Sequence, residues 1–232
     1  MFDSPVTGDA VAALVWLGGI ALASFLVTWV LTDLLHVRRV PYVGALAAVT
    51  AGLTISYLSW SDLGASFWTQ NWGWGLFGAL LTGALLARGV GRISTPHAAH
   101  HLGAGEGVWE GLVYGISEGL LLSVLPVVVV WQGSDHGSGW WSGVVAGAAA
   151  LAASALVIVV HHLGYREFRN RRIVQPLLAC LVLSVGYLLT GSPIAAMGGH
   201  IVLHLAMLRR GMELPPHSVT ESPWTHGPAV TT

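Results

Sequence analysis

The sequence predicts an all-α polytopic membrane bundle of about seven transmembrane helices. Mean hydropathy is +0.68. Hydrophobic residues make up 54% of the 232-residue chain and charged residues 9%, against roughly 25% in an ordinary soluble domain. Seven apolar runs of spanning length occur, and arginines follow every second one. The runs are expected as helices, because an unpaired strand leaves its backbone polar groups unsatisfied in lipid.

Taken in order, span 1 (10–35) runs up to Arg38 and Arg39, and span 2 (41–60) ends at Trp60. Span 3 (72–90) starts at Trp72 and runs into Arg88 and Arg92. Span 4 (107–131) ends at Trp131, and span 5 (140–163) runs from Trp140 and Trp141 to the Arg166–Arg172 cluster. Spans 6 (173–190) and 7 (193–208) are short, with Arg172 and Arg209 placed to snorkel toward headgroups. Seven crossings put every arginine on one side, so the N-terminus is expected outside and the C-terminus in the cytoplasm. The opposite loops carry Asp3, Asp9, Asp62 and Asp135 and no base, and most tryptophans lie near that side. Residues 1–210 are therefore expected to form the transmembrane domain and 211–232 a disordered cytoplasmic tail rich in Pro, Ser and Thr. The N-terminal stretch lacks a basic region and is not read as a cleaved signal peptide. A bacterial inner or plasma membrane is the expected location, with membrane lipids as surroundings and no nucleic-acid partner. Oligomeric state is left open.

Composition also excludes chemistry. All ten basic residues are arginine, so a lysine Schiff base, a lysine nucleophile and a Walker A phosphate loop are ruled out. Cys180 is the single cysteine, which rules out a disulfide scaffold. A weak repeat at an offset of 61 aligns His100–Gly103 with His161–Gly164, and Leu120, Leu122, Ser123 and Val124 with Leu181, Leu183, Ser184 and Val185. It is compatible with spans 3–4 and 5–6 being tandem hairpins, or with chance matching in a small apolar alphabet.

Ionisable residues inside spans are expensive, roughly 2.5–3.5 kcal/mol each at a helix centre, and so are functional candidates. Asp33, Glu110 and Glu118 are the acids; His161, His200 and His204 are the histidines, with His36 just beyond Asp33. His200 and His204 are four residues apart and share a helix face, an arrangement able to hold one metal ion. Glu110, Tyr114 and Ser117 form a polar stripe with Glu118 beside it, and Glu118 lies about 12 Å deeper than Glu110. Counted inward from the arginines, His161, His204 and Glu110 share a shallow level, and Glu118 and His200 lie nearer the midplane. The candidate catalytic residues are Glu118, Glu110, His161 and His204. The candidate ligands of a divalent metal, zinc in the leading reading, are His161, His200, His204 and Glu118. A remaining glutamate would take a proton from water. Alternatives stay open: the histidines could bond across a helix interface, Glu110 could pair with an inner arginine, and Asp33 and His36 could merely cap span 1. The glycines from Gly103 to Gly119 are expected to permit close helix packing.

His97-Ala98-Ala99-His100-His101 is similar to one histidine box of the membrane desaturases and hydroxylases. That resemblance implies a di-iron oxygenase as the alternative enzyme. The order Ser117-Glu118, Val157-x3-His161, His200-x3-His204 resembles the CPBP intramembrane proteases, relatives of the CAAX prenyl endopeptidase. Leu122 stands where that family has arginine, and one glutamate stands where it has two. The resemblance implies that Glu118 activates water, that His161 and His200 assist or bind metal, and that His204 stabilises an oxyanion. His200-x3-His204 is also similar to the zinc-dependent seven-helix hydrolases that include alkaline ceramidases; Thr32-x3-His36 is the nearest match to their Ser-x3-His. Both resemblances imply hydrolysis of an amide, in a membrane-embedded peptide or a lipid. A proton or metal-ion transporter is the non-enzymatic alternative.

Overall fold

The computed structural model describes residues 10–93, 102–134 and 139–212. The histidine-box segment, the loop tip at Asp135 and His136, and the expected tail from residue 213 lie outside the described residues.

Among the described residues the architecture is all helix. The spans are α1 (Ala10–Leu34), α2 (Arg39–Ser61), α3 (Trp72–Ile93), α4 (Ala104–Gly133), α5 (Trp140–Leu163), α6 (Val174–Thr190) and α7 (Pro193–Arg209). A single turn of helix, Ser66–Thr69, lies between α2 and α3, and two 3₁₀ turns, Arg166–Phe168 and Arg171–Ile173, lie between α5 and α6. Among the described residues six spans are long and apolar enough to cross a bilayer, the sixth when the Arg171–Ile173 turn is counted with α6 as Arg171–Thr190. The seventh, α7, has 17 residues and rises about 26 Å, close to the hydrocarbon thickness of roughly 30 Å. The protein is a multi-pass membrane bundle. Gly191 ends α6 at φ +64°, a left-handed cap that glycine adopts without steric cost. Ser192 and Pro193 then start α7 at once, with Pro193 in the first turn, where its missing N–H is not needed.

The α4 helix is the axis of the bundle: most of its residues are buried, whereas α1, α2, α3, α5 and α6 each bury a minority of theirs. Its glycines make this possible. A Cβ on Gly115 would stand 2.9 Å from the backbone of Ile201, and one on Gly119 2.8 Å from Cα of Met197. One on Gly111 would meet the Leu205 side chain at 2.5 Å. Spaced at i, i+4 and i+8, the three form a smooth face on which α7 lies backbone to backbone. The expected packing role thus holds for these three glycines. On its other side α7 packs along α3, where Gly75, Gly78, Gly83 and Gly198 allow equally close approach.

Two features bend α4 out of regular geometry. Its turns at Gly107–Val113 and Gly119–Val124 are wide π-helical turns, which recur at functional sites. The second precedes Pro126. Proline donates no N–H and crowds the carbonyl four residues back, which here is Leu122. The Leu122 carbonyl accepts a 2.7 Å hydrogen bond from Ser154 Oγ of α5, and Ser154 Oγ lies 2.7 Å from Ser184 Oγ of α6. Ser123 Oγ donates to the Cys180 carbonyl at 3.3 Å. The two serines matched by the 61-residue offset, Ser123 and Ser184, thus both sit where α4, α5 and α6 meet.

At the arginine-rich end, Arg169 Nη2 bonds Asp33 at 2.6 Å and its Nε bonds the Leu163 carbonyl at 2.9 Å. Asp33 therefore ties α1 to the end of α5. His36 is exposed, at φ +48°. Thr28 Oγ1 contacts the His161 carbonyl at 3.2 Å. A Cβ on Gly164 would overlap that hydroxyl at 1.8 Å, so α1 can press against the end of α5 only because residue 164 is glycine.

Gly119→Ala should lower bundle stability by about 1–3 kcal/mol, because the added methyl meets backbone. Gly52→Ala on the open face of α2, where nothing lies within 4 Å, should be neutral or stabilising by up to ~1 kcal/mol. Reversible unfolding in mixed micelles measures both; equal effects would disprove the close-packed face.

Candidate metal centre

Four imidazole and carboxylate groups from three helices meet around Glu118. Its Oε2 lies 3.0 Å from His204 Nε2 and 3.4 Å from His200 Nε2, and its Oε1 lies 3.6 Å from His161 Nε2. All four side chains are buried. The convergence expected of α4, α5 and α7 is what the structure shows. The wide turns on either side of Tyr114–Glu118 set the rotation at which Glu118 faces α7. Ser117, its neighbour in the expected stripe, returns its hydroxyl to the Val113 carbonyl at 2.8 Å.

The hydrogen bonds identify tautomers. His204 Nδ1 lies 3.1 Å from the backbone carbonyl of Glu110. A carbonyl only accepts, so Nδ1 carries the proton and donates it. In a neutral ring Nε2 is then a bare lone pair, and it faces a carboxylate oxygen at 3.0 Å. Two acceptors at that distance repel unless a cation, either a proton or a metal ion, lies between them. Donation of the second ring N–H to a backbone carbonyl is also the arrangement that orients metal-ligating histidines. His200 makes its contacts through Nε2, and its buried Nδ1 has no hydrogen-bond partner among the described residues.

Among the described residues, Glu118, His200 and His204 are the three whose donor atoms lie within 4.8 Å of one another. With metal–ligand bonds of about 2.0–2.2 Å, tetrahedral ligands stand roughly 3.4 Å apart; the His200 distance of 3.4 Å matches this and the His204 distance of 3.0 Å is shorter. The group could hold a divalent ion. His161, expected among the ligands, stands outside this set on the other carboxylate oxygen. Its Nε2 lies 3.3 Å from the Tyr165 hydroxyl. Tyr165 in turn is in short contact with the Tyr42 hydroxyl and 3.2 Å from that of Tyr114. Burial pushes the Tyr165 phenol well above its usual range, so it remains a protonated donor at neutral pH. These three tyrosines were not anticipated beyond Tyr114; only folding brings residues 42, 114 and 165 together.

Glu110 is the second acid expected among the catalytic residues. Its carboxylate forms a buried 2.8 Å ion pair with Arg39 Nη1 at the start of α2, while its carbonyl orients His204. The pair is the inner-arginine alternative considered above. It also draws Arg39, expected on the cytoplasmic side after span 1, into the bundle, where it is 6% exposed. Trp109 Nε1 donates to the Val40 carbonyl at 3.0 Å beside it, so the α2 start is pinned against α4 twice.

Breaking a buried ion pair on one side leaves an uncompensated charge. Arg39→Met should therefore cost about 3–5 kcal/mol, and the Arg39→Met/Glu110→Leu double variant distinctly less; unfolding free energies of the two variants measure the difference. A double variant weaker than the single would remove the pair from the account.

No family model matches the chain, and no curated protein or solved structure matches it.

Proposed function

We propose that the protein is an intramembrane metal-dependent hydrolase, with Glu118, His200 and His204 holding a divalent ion of the zinc class. The observation that carries the reading is the 3.0 Å approach of His204 Nε2 to Glu118 Oε2 while His204 Nδ1 is committed to a backbone carbonyl. Three protein ligands leave one position free, as hydrolytic zinc sites do. A divalent ion there supplies Lewis acidity and lowers the pKa of water.

The chain's own groups divide the remaining work. Glu118 presents one oxygen to His200 and His204 and the other to His161. His161, held by the Tyr165 hydroxyl, stands where a proton leaving water on the Oε1 side can be taken up and passed to a leaving group. Glu110 orients His204 through its carbonyl and is kept in place by Arg39. The low-dielectric surroundings strengthen each of these interactions. The substrate class is a membrane-embedded peptide or lipid amide, and the order of the Glu118, His161 and His200-x3-His204 motifs supports the protease-like form. We place the enzyme in the plasma or inner membrane, opening toward the arginine-rich side.

One observation favours a second reading. The chain Glu118–His161–Tyr165–Tyr42/Tyr114 is a continuous line of buried proton-exchanging groups, suited to proton or metal-ion translocation. A di-iron oxygenase would need a second set of ligands, and the described residues hold a single Glu–His–His group; His97, His100 and His101 lie outside them.

Elemental analysis of the purified protein should find about one zinc-class ion per chain. His204→Ala should weaken binding by roughly 10–100-fold or more, and the His97/His100/His101 triple alanine variant should retain the ion. Metal-free wild type would reject the hydrolase and favour the proton path; about two iron atoms, lost in the triple variant, would favour the oxygenase. Glu118→Gln should abolish hydrolysis of membrane peptide substrates while the bundle keeps its thermal stability, and retained turnover would remove Glu118 from the mechanism.

A further inference from the structure

The connection between α5 and α6 reads in the sequence as a basic loop and nothing more. In the structure it turns two aromatic side chains inward beneath the Glu118 cluster. Tyr165 and Phe168 are 1% and 8% exposed, while their neighbours Arg166, Arg169 and Asn170 are exposed. The Tyr165 hydroxyl lies 3.3 Å from His161 Nε2 and meets the hydroxyls of Tyr42 and Tyr114. The Phe168 ring stands edge-on to that of His162, with centroids 5.1 Å apart. His162 is itself fixed, donating from Nδ1 to the Ile158 carbonyl at 2.8 Å. The two rings of this loop thus lie between the arginine-rich end of the bundle and His161.

The loop is separable from the helices it joins. Its two 3₁₀ turns, Arg166–Phe168 and Arg171–Ile173, pack on each other and on the ends of α5 and α6. Extended backbone at Tyr165 and at Asn170 divides it from α5 and from the turn that begins α6. Element-terminal residues of this kind absorb hinge motion without breaking a helix. On the outer side an ion pair ties the loop to α1: Arg169 Nη2 to Asp33 Oδ2 at 2.6 Å, with the two side chains 41% and 15% exposed. The other bonds of Arg169 return to the Leu163 and Gly164 carbonyls at the end of α5, so Asp33 is the partner that reaches another span. Asp33 sits on the wide π-helical turn Trp29–Leu34 that ends α1, a form that recurs at functional sites. An ion pair this exposed is a weak tie and is screened by salt.

Glu118, His161, His200 and His204 are each at most 6% exposed. Water, an ion or a substrate reaches them only when an element moves aside. We propose that the Gly164–Asn170 loop is a lid over the inner side of the Glu118 cluster, plugged by Tyr165 and Phe168 and latched to α1 by the Arg169–Asp33 pair, and that its opening admits water and small solutes to the cluster. The lid goes beyond the metal reading and does not depend on it, since a proton path through the same residues needs the same opening.

Cys180 is a built-in reporter of that opening. It is the chain's one thiol, is 3% exposed, and its Sγ lies 4.0 Å from His200 Nε2. The full chain in detergent is treated with a small charged methanethiosulfonate, and modification of Cys180 is followed by mass spectrometry. Modification of a transiently exposed group tracks the open population. Asp33→Asn and Arg169→Gln should each react about three- to tenfold faster than wild type, and Phe168→Ala roughly tenfold faster or more. Salt at about 1 M should speed the wild-type reaction and leave Asp33→Asn unchanged. Gly78→Ala crowds α3 against Thr190 and Ala195, away from the loop, and should react at the wild-type rate. Wild-type rates in both Asp33→Asn and Arg169→Gln, or a salt effect undiminished in Asp33→Asn, would overturn the latch. Acceleration by Gly78→Ala equal to that of the loop variants would overturn the lid, because general loosening would then explain it. The Asp33→Asn and salt arms decide the question even if Phe168→Ala fails to fold. Metal content of the same preparations is read separately: metal-free protein with the expected rates keeps the lid and rejects the metal centre, and metal-loaded protein with unchanged rates does the reverse.

Discussion

A carboxylate in the middle of a membrane bundle has to be compensated, and the compensation of Glu118 organises everything around it. An isolated buried charge is costly in a low-dielectric interior. Glu118 is only 6% exposed, and three imidazole nitrogens from α5 and α7 stand within 3.6 Å of its two oxygens. That number of partners around one residue requires α7 and the end of α5 to converge on the same level of α4. The helix arrangement and the site are therefore one problem with one solution.

The close approach has its own physical cause. Lipid tails give no hydrophobic reason for apolar helices to associate, so contact depends on packing and on interhelical hydrogen bonds. Glycines 111, 115 and 119 let the α7 backbone touch α4, which is what brings an imidazole on α7 within bonding distance of a short acid on α4. The wide turns of α4 complete the placement, and Pro126 explains the second of them. Beside that turn Ser154 of α5 donates to the Leu122 carbonyl, tying α5 to α4.

Support for the centre comes from groups that are themselves fixed. Arg39 holds the Glu110 carboxylate, the Glu110 carbonyl holds His204, and Tyr165 holds His161. The first two contacts join α2 to α4 and α4 to α7, and Tyr165, at the end of α5, also meets Tyr42 of α2 and Tyr114 of α4, so the positions of the reactive atoms are determined from several directions. Such over-determination keeps a site within the narrow geometric tolerance that catalysis or tight ion binding demands.

The spans, their helical nature and the rule that intramembrane acids and histidines matter were legible in the linear chain, because lipid imposes length and backbone satisfaction on any sequence that crosses it. Spacing alone placed His200 and His204 on one face, but counting from the arginines put Glu118 level with His200 only and set His161 and His204 level with Glu110, whereas all three imidazoles meet Glu118. What the linear chain left open was direction. Whether Glu110 or Glu118 faced the histidines, whether Arg39 went out to headgroups or inward, and whether Tyr42, Tyr165 and Cys180 belonged near the site all depend on helix rotation. Rotation is set by which small residues meet across helices and by two wide turns that shift the register of α4, and those are contacts between parts of the chain far apart in order. Composition and periodicity thus determined that polar groups would gather inside a seven-helix bundle; only the packed tertiary structure decided which of them touch.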